Sequence, residues 1–243
     1  MNGRSESAPG HGAGVRGLEL AARSPEGTCT PRFTLYLRFG KRLLDTFCAM
    51  VGFVIASPLL LVCAVAIRLD SPGPIFFRQR RVGKHGKLFQ IIKFRTMVDQ
   101  ADRNGLKLTA SGDSRLTRVG KWLRKMKVDE IPQLLNVLRG EMSLVGPRPE
   151  VQEYVATYSS ALRKILELKP GCTGLATLAF FDEERVLASR SDTEDFYLRA
   201  ILPCKLDLDL SYGATVSFLG DVKLIFATVG KLFRSQLTGL LST

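Results

Sequence analysis

Residues 43–67 read LLDTFCAMVGFVIASPLLLVCAVAI, an apolar run of 25 residues with a single charge, Asp45. As a straight helix this run would reach about 37 Å, enough to cross the hydrocarbon core of a bilayer. An ordinary spanning helix and a buried core helix both fit that length. Two features favour a third form. Basic residues stand on both flanks, Arg38, Lys41 and Arg42 before and Arg68, Arg78, Arg80 and Arg81 after. A spanning helix is biased toward one basic flank, so this symmetry predicts that both ends stay on the cytoplasmic side. Ser57-Pro58 falls near the middle, where a proline removes one helix N–H and clashes one turn back, making a sharp bend available. A bent helix that dips into one leaflet and returns meets both observations.

The rest of the chain is globular in composition. Of 243 residues, 45% are hydrophobic and 24% charged, and 35 Lys+Arg against 23 Asp+Glu give a net charge of +12. That balance excludes a wholly disordered chain, a collagen-like repeat and a disulfide scaffold, and points to phosphates, nucleic acids or anionic membrane surfaces as partners. The five cysteines (Cys29, Cys48, Cys63, Cys172 and Cys204) form no CxxC pair and no Cys/His cluster, which fits a reducing compartment and argues against structural zinc. Residues 1–31 are rich in Gly, Ser, Pro and Arg without the apolar core of a secretory signal, and are expected to form a disordered tail.

After a SPGP turn, PIFFRQRRVG and KLFQIIKFRTM read as a β-hairpin closed by residues 83–86. A polar loop is expected over 99–114. RLTRVGKWLRKMK then reads as a basic amphipathic helix, with Leu116, Val119, Leu123 and Met126 at helical spacing. A second helix is expected near EIPQLLNVLRG, with Pro132 early in it, then a stiff loop SLVGPRPE, and a further helix over 151–168 ended by Lys169-Pro-Gly. The segment 193–236 is expected to be mixed.

Between Arg78 and Lys127 stand fifteen lysines and arginines against three acids, so this stretch alone carries a charge equal to the protein's net +12. A solvated basic face beside anionic lipid explains such a stretch. A nucleic-acid surface would also suit it, but the adjacent apolar segment and the lack of any helix-turn-helix, RRM or zinc-finger pattern weigh against that reading. A diphosphate site is the third reading, because Asp129-Glu130 follow at once. Alone, an acidic pair at a helix start complements the helix dipole. Beside a cationic stretch it is also placed to stay ionised, to hold a divalent ion, or to attack phosphorus.

Taken in order, KRLLD, SPLLL, GPIFFRQRRVG, KFRTM, VDEIPQLLNVLRGEMSLVGPRPE and KPGCTG resemble the bacterial sugar transferase family of monotopic phosphoglycosyl transferases, strongly over residues 38–175 and weakly beyond. The resemblance implies transfer of a sugar-1-phosphate from a UDP-sugar to polyprenyl (undecaprenyl) phosphate, giving polyprenyl-diphosphate-sugar and UMP by a ping-pong route. Asp129 would be the nucleophile that becomes a phosphosugar-aspartyl intermediate. Glu130 would orient or ligate Mg²⁺, the implied cofactor, so that the pair is also the expected metal site. Lys93 of KFRTM, Arg124 five residues before the nucleophile, and Arg148 between two prolines would bind substrate. Ser57-Pro58 matches the family's break in its re-entrant helix.

The implied architecture is α+β: a 38–70 re-entrant membrane helix hairpin, then a 71–243 catalytic domain with a small hairpin and amphipathic helices at the membrane surface. The implied location is the cytoplasmic face of the bacterial inner membrane, with monotopic topology, no nucleic-acid partner, and downstream glycosyltransferases in a glycoconjugate or exopolysaccharide pathway. The sequence leaves open a homodimer, and a catalytically inert membrane scaffold is the alternative function. One departure stands out. Many relatives continue after KPG-x-TG with a Trp-Ala-Gln-Val-Asn-Gly-Arg type segment, whereas this chain reads GLATLAFFDEERVLA, with Leu175 in the tryptophan's place.

Overall fold

A computed structural model describes residues 35–99, 113–188 and 192–241. The expected tail over 1–31 and most of the expected polar loop over 99–114 lie outside the described residues.

The apolar run forms one helix, α1 (Lys41–Asp70), preceded by a π-helical turn, Tyr36–Gly40. Helical structure continues through Pro58. The proline withholds the N–H that Val54 O would accept, and Ser57 Oγ donates to that carbonyl instead, at 2.7 Å. Both ends of α1 are tied to the same body. At the start, Arg42 donates to Val137 O (2.6 Å) and Leu138 O (2.9 Å), and Asp45 accepts from Leu144 N (2.9 Å). At the end, Asp70 accepts from Val119 N (3.0 Å) and Arg68 donates to Gly73 O (2.8 Å). Between these anchors Val54, Ile55, Leu61 and Val62 are exposed, up to 74% for Ile55.

The hairpin forms as expected: β1 (Phe76–Val82) pairs antiparallel with β2 (Leu88–Phe94), Phe76 opposite Phe94 and Val82 opposite Leu88. The turn between them places His85 and Gly86 at positive φ, 56° and 76°. The basic helix α2 (Arg118–Lys125) is capped by Thr117, whose side chain accepts from Gly120 N. Leu116, expected on its apolar face, instead bridges to Met97 before the helix begins. Gly120 allows α2 to lie on the chain after β2, since a Cβ there would come within 1.9 Å of Thr96 O. The helix expected near 130–140 starts as a 3₁₀ turn, Val128–Gln133, that contains Pro132, and continues as α3 (Leu134–Arg139).

Three expectations are corrected. SLVGPRPE is not all loop: β3 (Ser143–Val145) pairs in parallel with β4 (Gly171–Thr173). The helix expected over 151–168 is broken into α4 (Gln152–Ala156) and a 3₁₀ turn, Leu162–Glu167, because side chains between them take local bonds. Thr157 Oγ1 donates to Tyr154 O and Ser159 Oγ accepts from Leu162 N. The 193–236 region is helical: α5 (Leu175–Ala179) and α6 (Glu183–Ala188) lead to α7 (Thr193–Phe196), a π-helical turn (Tyr197–Ile201), α8 (Leu202–Thr215) and α9 (Phe218–Leu241). The fold is therefore α+β, mostly helical, with two small two-stranded sheets among the described residues.

Apolar packing joins these elements in patches. Cys63 and Ile67 of α1 pack with Phe94, Leu123 and Val128, while Ala49 packs with Ile91, Val137 and Met142. A third patch joins Val82, Tyr154, Tyr197 and Leu206. Buried Lys41 pairs with Asp221, which also accepts from the hydroxyls of Tyr36 and Tyr212 (both 2.7 Å), fastening the start of α1 to the start of α9. Trp122 on α2 and Phe218, Leu219, Phe226 and Phe233 on α9 are exposed apolar groups, like the middle of α1.

Asn136 ties α3 to β2. Fully buried, it accepts from Ile92 N (3.0 Å) and donates to Gln90 O and Glu141 Oε2 (both 2.7 Å). Asn136→Ala is expected to lower stability by about 2–4 kcal/mol, since it leaves a buried backbone N–H unpaired and opens a void. Thermal or denaturant unfolding of the detergent-solubilised protein checks this.

Candidate active site

Asp129 and Glu130 sit in the 3₁₀ turn that follows α2. Lys127, just before them, has φ 55°, a left-handed conformation uncommon outside glycine. This reversal ends α2 and turns the acidic pair toward β2. Lys93 comes from β2, and Arg148 from the loop after β3. That loop lies against the chain around β4 so closely that glycines are needed: a Cβ on Gly146 would stand 2.4 Å from Lys169 O, and one on Gly174 2.4 Å from Gly146 O. Pro147 and Pro149 fix φ on either side of Arg148 and stiffen its presentation.

These elements converge on one cavity of about 430 Å³. Lys93, Arg124, Asp129, Glu130 and Arg148, all five singled out from the sequence, line it. Glu130 Oε1 accepts from Lys93 Nζ at 2.6 Å and from Arg148 Nη2 at 2.9 Å. Burial on its own would raise the Glu130 carboxyl, but the charges and hydrogen bonds of Arg148 and Lys93 outweigh it and hold the group well below the carboxylate range. The Arg148 guanidinium is raised in turn, chiefly by the Glu130 charge. Asp129 differs sharply. It is 6% exposed, its Oδ1 has no hydrogen-bond partner among the described residues, and burial together with the neighbouring Glu130 charge pushes its carboxyl up to about 6. One carboxylate is thus clamped between two cations, and the other is left with an unengaged oxygen. Arg124 approaches Glu184 at 4.0 Å. Ser57 and Pro58 are not among the cavity's lining residues; they sit within α1.

Sequence reasoning missed the other half of the cavity. Thr173, Thr177, Phe180, Phe181, Glu183 and Lys205 line it, together with Ile225, Thr228, Val229 and Leu232 of α9. Lys205 is buried, donates to Glu183 Oε2 (2.8 Å) and stands 3.9 Å from Glu150. Phe181 has Lys231 over its ring at 5.0 Å and Lys127 at 5.7 Å. Val229 both lines the cavity and is 43% exposed, so the cavity reaches the apolar surface. These pairings join residues 22 to 55 positions apart, and no local spacing announces them.

Beyond the cavity lining, Asp209 is a buried acid on α8. Burial pushes its carboxyl up to about 7, against the Lys205 charge and the backbone N–H groups of Arg148 and Ala176. The folded value lies above the ordinary 3.8, so the unfolded chain releases this proton first. Asp209 therefore costs stability progressively as pH rises from about 4 to about 7. Asp209→Asn is expected to gain on wild type in melting temperature between pH 4.5 and 7.5. A difference that does not change with pH would contradict this.

The fold and site define an α+β protein with a long apolar helix and a cavity in which an acidic pair meets fixed cations. The comparison with known proteins makes the class specific. The family described as bacterial sugar transferase matches residues 36–235, and the chain belongs to that family of transferases. It is 42% identical over 209 residues to a UDP-glucose:undecaprenyl-phosphate glucose-1-phosphate transferase of Caulobacter vibrioides, covering 85% of this chain and 73% of that one. It is 37% identical over 204 residues to a UDP-N-acetylgalactosamine-undecaprenyl-phosphate N-acetylgalactosaminephosphotransferase of Aeromonas hydrophila, covering 83% of this chain and 44% of that one. An exopolysaccharide production protein of Rhizobium leguminosarum is 38% identical over 200 residues, which cover 78% of this chain and 92% of that one.

Proposed function

We propose that this protein moves a sugar-1-phosphate from a UDP-sugar to undecaprenyl phosphate through a phosphosugar-aspartyl intermediate, at the cytoplasmic face of the inner membrane, as an early step of exopolysaccharide or glycoconjugate assembly. The observation that carries the reading is the contrast within the acidic pair: Glu130 is held by Lys93 and Arg148, while buried Asp129 keeps an oxygen without a hydrogen bond among the described residues. In the first step a bond forms between an Asp129 carboxylate oxygen and the sugar-bearing phosphorus. The bond from that phosphorus to the bridging oxygen breaks, and UMP leaves with the electron pair. In the second step an oxygen of the lipid phosphate attacks the same phosphorus and frees the carboxylate. Arg148, Lys93 and Arg124 neutralise the diphosphate so that a carboxylate can approach it, and a guanidinium can grip two phosphate oxygens at once. Splitting the transfer in two also means that a water-soluble donor and a lipid acceptor need not be bound together.

A Mg²⁺ ion suits this donor set. Among the described residues no group of three or more His, Cys, Asp or Glu is assembled, and Mg²⁺ is commonly held by one or two carboxylates plus substrate phosphates. Asp129 and Glu130 would hold it, and when bound it would supply charge neutralisation at the diphosphate. The apolar lining from Ile131, Leu134, Ile225 and Leu232 suits the first units of a polyprenyl chain. An inert scaffold would have no need of a buried carboxylate left unpaired beside fixed cations.

The re-entrant path of α1 draws support from its anchors, because both ends bond to one body while the middle is bare apolar surface. Single cysteines at exposed Leu35 and Leu69, in a cysteine-free background, test it. Both are expected to resist a membrane-impermeant maleimide in intact cells and to react after lysis; labelling of only one in intact cells would mean a spanning helix. The reaction itself is tested by mass spectrometry of the lipid product formed from a panel of UDP-sugars, together with UMP release.

A further inference from the structure

The cavity has two chemically different walls. The acidic pair, Lys93 and Arg148 make one. The other comes from the chain after β4, and it carries Thr177 and Glu183. A threonine inside a helix often bonds back to the carbonyl four residues earlier. Here that carbonyl, Thr173 O, already accepts from Gly146 N at 2.9 Å, and Thr177 Oγ1 is buried without a partner among the described residues. Glu183 is pre-positioned: its Oε2 is held by Lys205, whose own side chain is only 4% exposed and lies over the Tyr197 ring at 5.1 Å. Its Oε1 has no hydrogen bond among the described residues, and its charge acts on Arg148. A carboxylate repels phosphate oxygens but accepts from hydroxyl groups, and a threonine hydroxyl can both donate and accept.

We propose that Thr177 and Glu183 form the wall that recognises hydroxyl groups of the transferred sugar, and so set which sugar the enzyme accepts. This rests on the function proposed above. The transferred half of the donor is the half that stays beside Asp129 and Arg148 when UMP leaves, and Glu183 stands near Arg148. A rigid acceptor that meets a hydroxyl in one epimer and not in another discriminates strongly, because the wrong sugar leaves the buried group unpaired.

The test uses the full chain in nanodiscs, with kcat/KM for UDP-glucose, UDP-galactose and their N-acetyl counterparts, and with UMP as product inhibitor. Glu183→Gln keeps an oxygen for Lys205 and loses the charge. It is expected to lower kcat/KM for the preferred donor by about tenfold or more and to flatten the ratios among donors, with UMP inhibition unchanged. Thr177→Val, which leaves the Lys205 pair alone, is expected to act in the same direction by about threefold. Weaker UMP inhibition in step with the loss would assign these residues to the nucleotide and overturn the proposal. So would an equal loss for every donor, which marks a merely structural role for Glu183, or no change in either variant. If wild type releases no UMP from any UDP-sugar, it is the proposed function that fails, and that result is seen before any variant is made.

Discussion

Asp129→Asn is expected to abolish turnover, to below about one part in a thousand of wild type, while the protein still folds and inserts. The amide is nearly isosteric with the carboxylate, and Asp129 Oδ1 makes no hydrogen bond among the described residues that the substitution would break. Burial and the Glu130 charge already disfavour the Asp129 anion, so a neutral side chain is not expected to weaken the fold. What is lost is the nucleophile. An amide does not form the acyl phosphate, and the adjacent Glu130 does not replace it, because it is clamped by Lys93 and Arg148. Donor consumption, followed as UMP, and unfolding temperature together check this. Loss of both activity and folding would contradict it, as would retention of activity.

Glu130→Gln is expected to slow the reaction roughly a hundredfold or more by a different route. Glu130 Oε1 is the shared acceptor of Lys93 and Arg148, so its charge sets where two phosphate-binding cations stand. Removing it leaves two cations facing each other without their common counter-charge, and removes one of the two carboxylates proposed to hold the metal. Removing one partner of a hydrogen-bonded charge cluster commonly costs about 2–5 kcal/mol, and each 1.4 kcal/mol corresponds to tenfold in rate. The nucleophile survives, however. Glu130→Gln is therefore expected to form the covalent adduct slowly over a long incubation, whereas Asp129→Asn forms none. Quenched-flow measurement of UMP release in a single turnover separates the two; equal and complete loss in both would remove the distinction drawn here between the carboxylates.

Elements governed by local rules are legible in the amino-acid sequence. The hairpin follows from two β-rich runs around Gly83 and Gly86, and α2 from the spacing of Val119 and Leu123. The apolar run gives α1 its place, but a proline alone does not decide whether a helix stops. Ser57 takes up the carbonyl that Pro58 leaves free, and helical structure continues. Where the sequence misleads, competing local bonds or distant partners are responsible. The break between Ala156 and Leu162 depends on Thr157 and Ser159 side chains bonding to nearby backbone. β3 and β4 are three residues each and pair across 28 positions, too short for any periodicity to show.

The same division runs through the site. Asp129, Glu130, Lys93, Arg124 and Arg148 stand in sequence motifs, and the fold gathers them round one cavity. Their environment is not legible in those motifs. That Asp129 has an unengaged oxygen while Glu130 has two cations depends on how β2 and the loop after β3 meet the turn after α2. Glu183 and Lys205 are 22 residues apart on different helices, and α9 closes the cavity from the far end of the described chain.

The covalent route is the central claim, and the intact mass of the wild-type protein tests it most directly. Purified enzyme with Mg²⁺ and a UDP-sugar, but no polyprenyl phosphate, is expected to release at most about one UMP per chain and to gain the mass of one phosphosugar, located on Asp129 by peptide mapping. Subsequent addition of polyprenyl phosphate is expected to discharge that adduct into lipid product. If wild type releases no UMP until the lipid is added, and carries no adduct at any stage, the transfer proceeds directly between two bound substrates and the account is wrong.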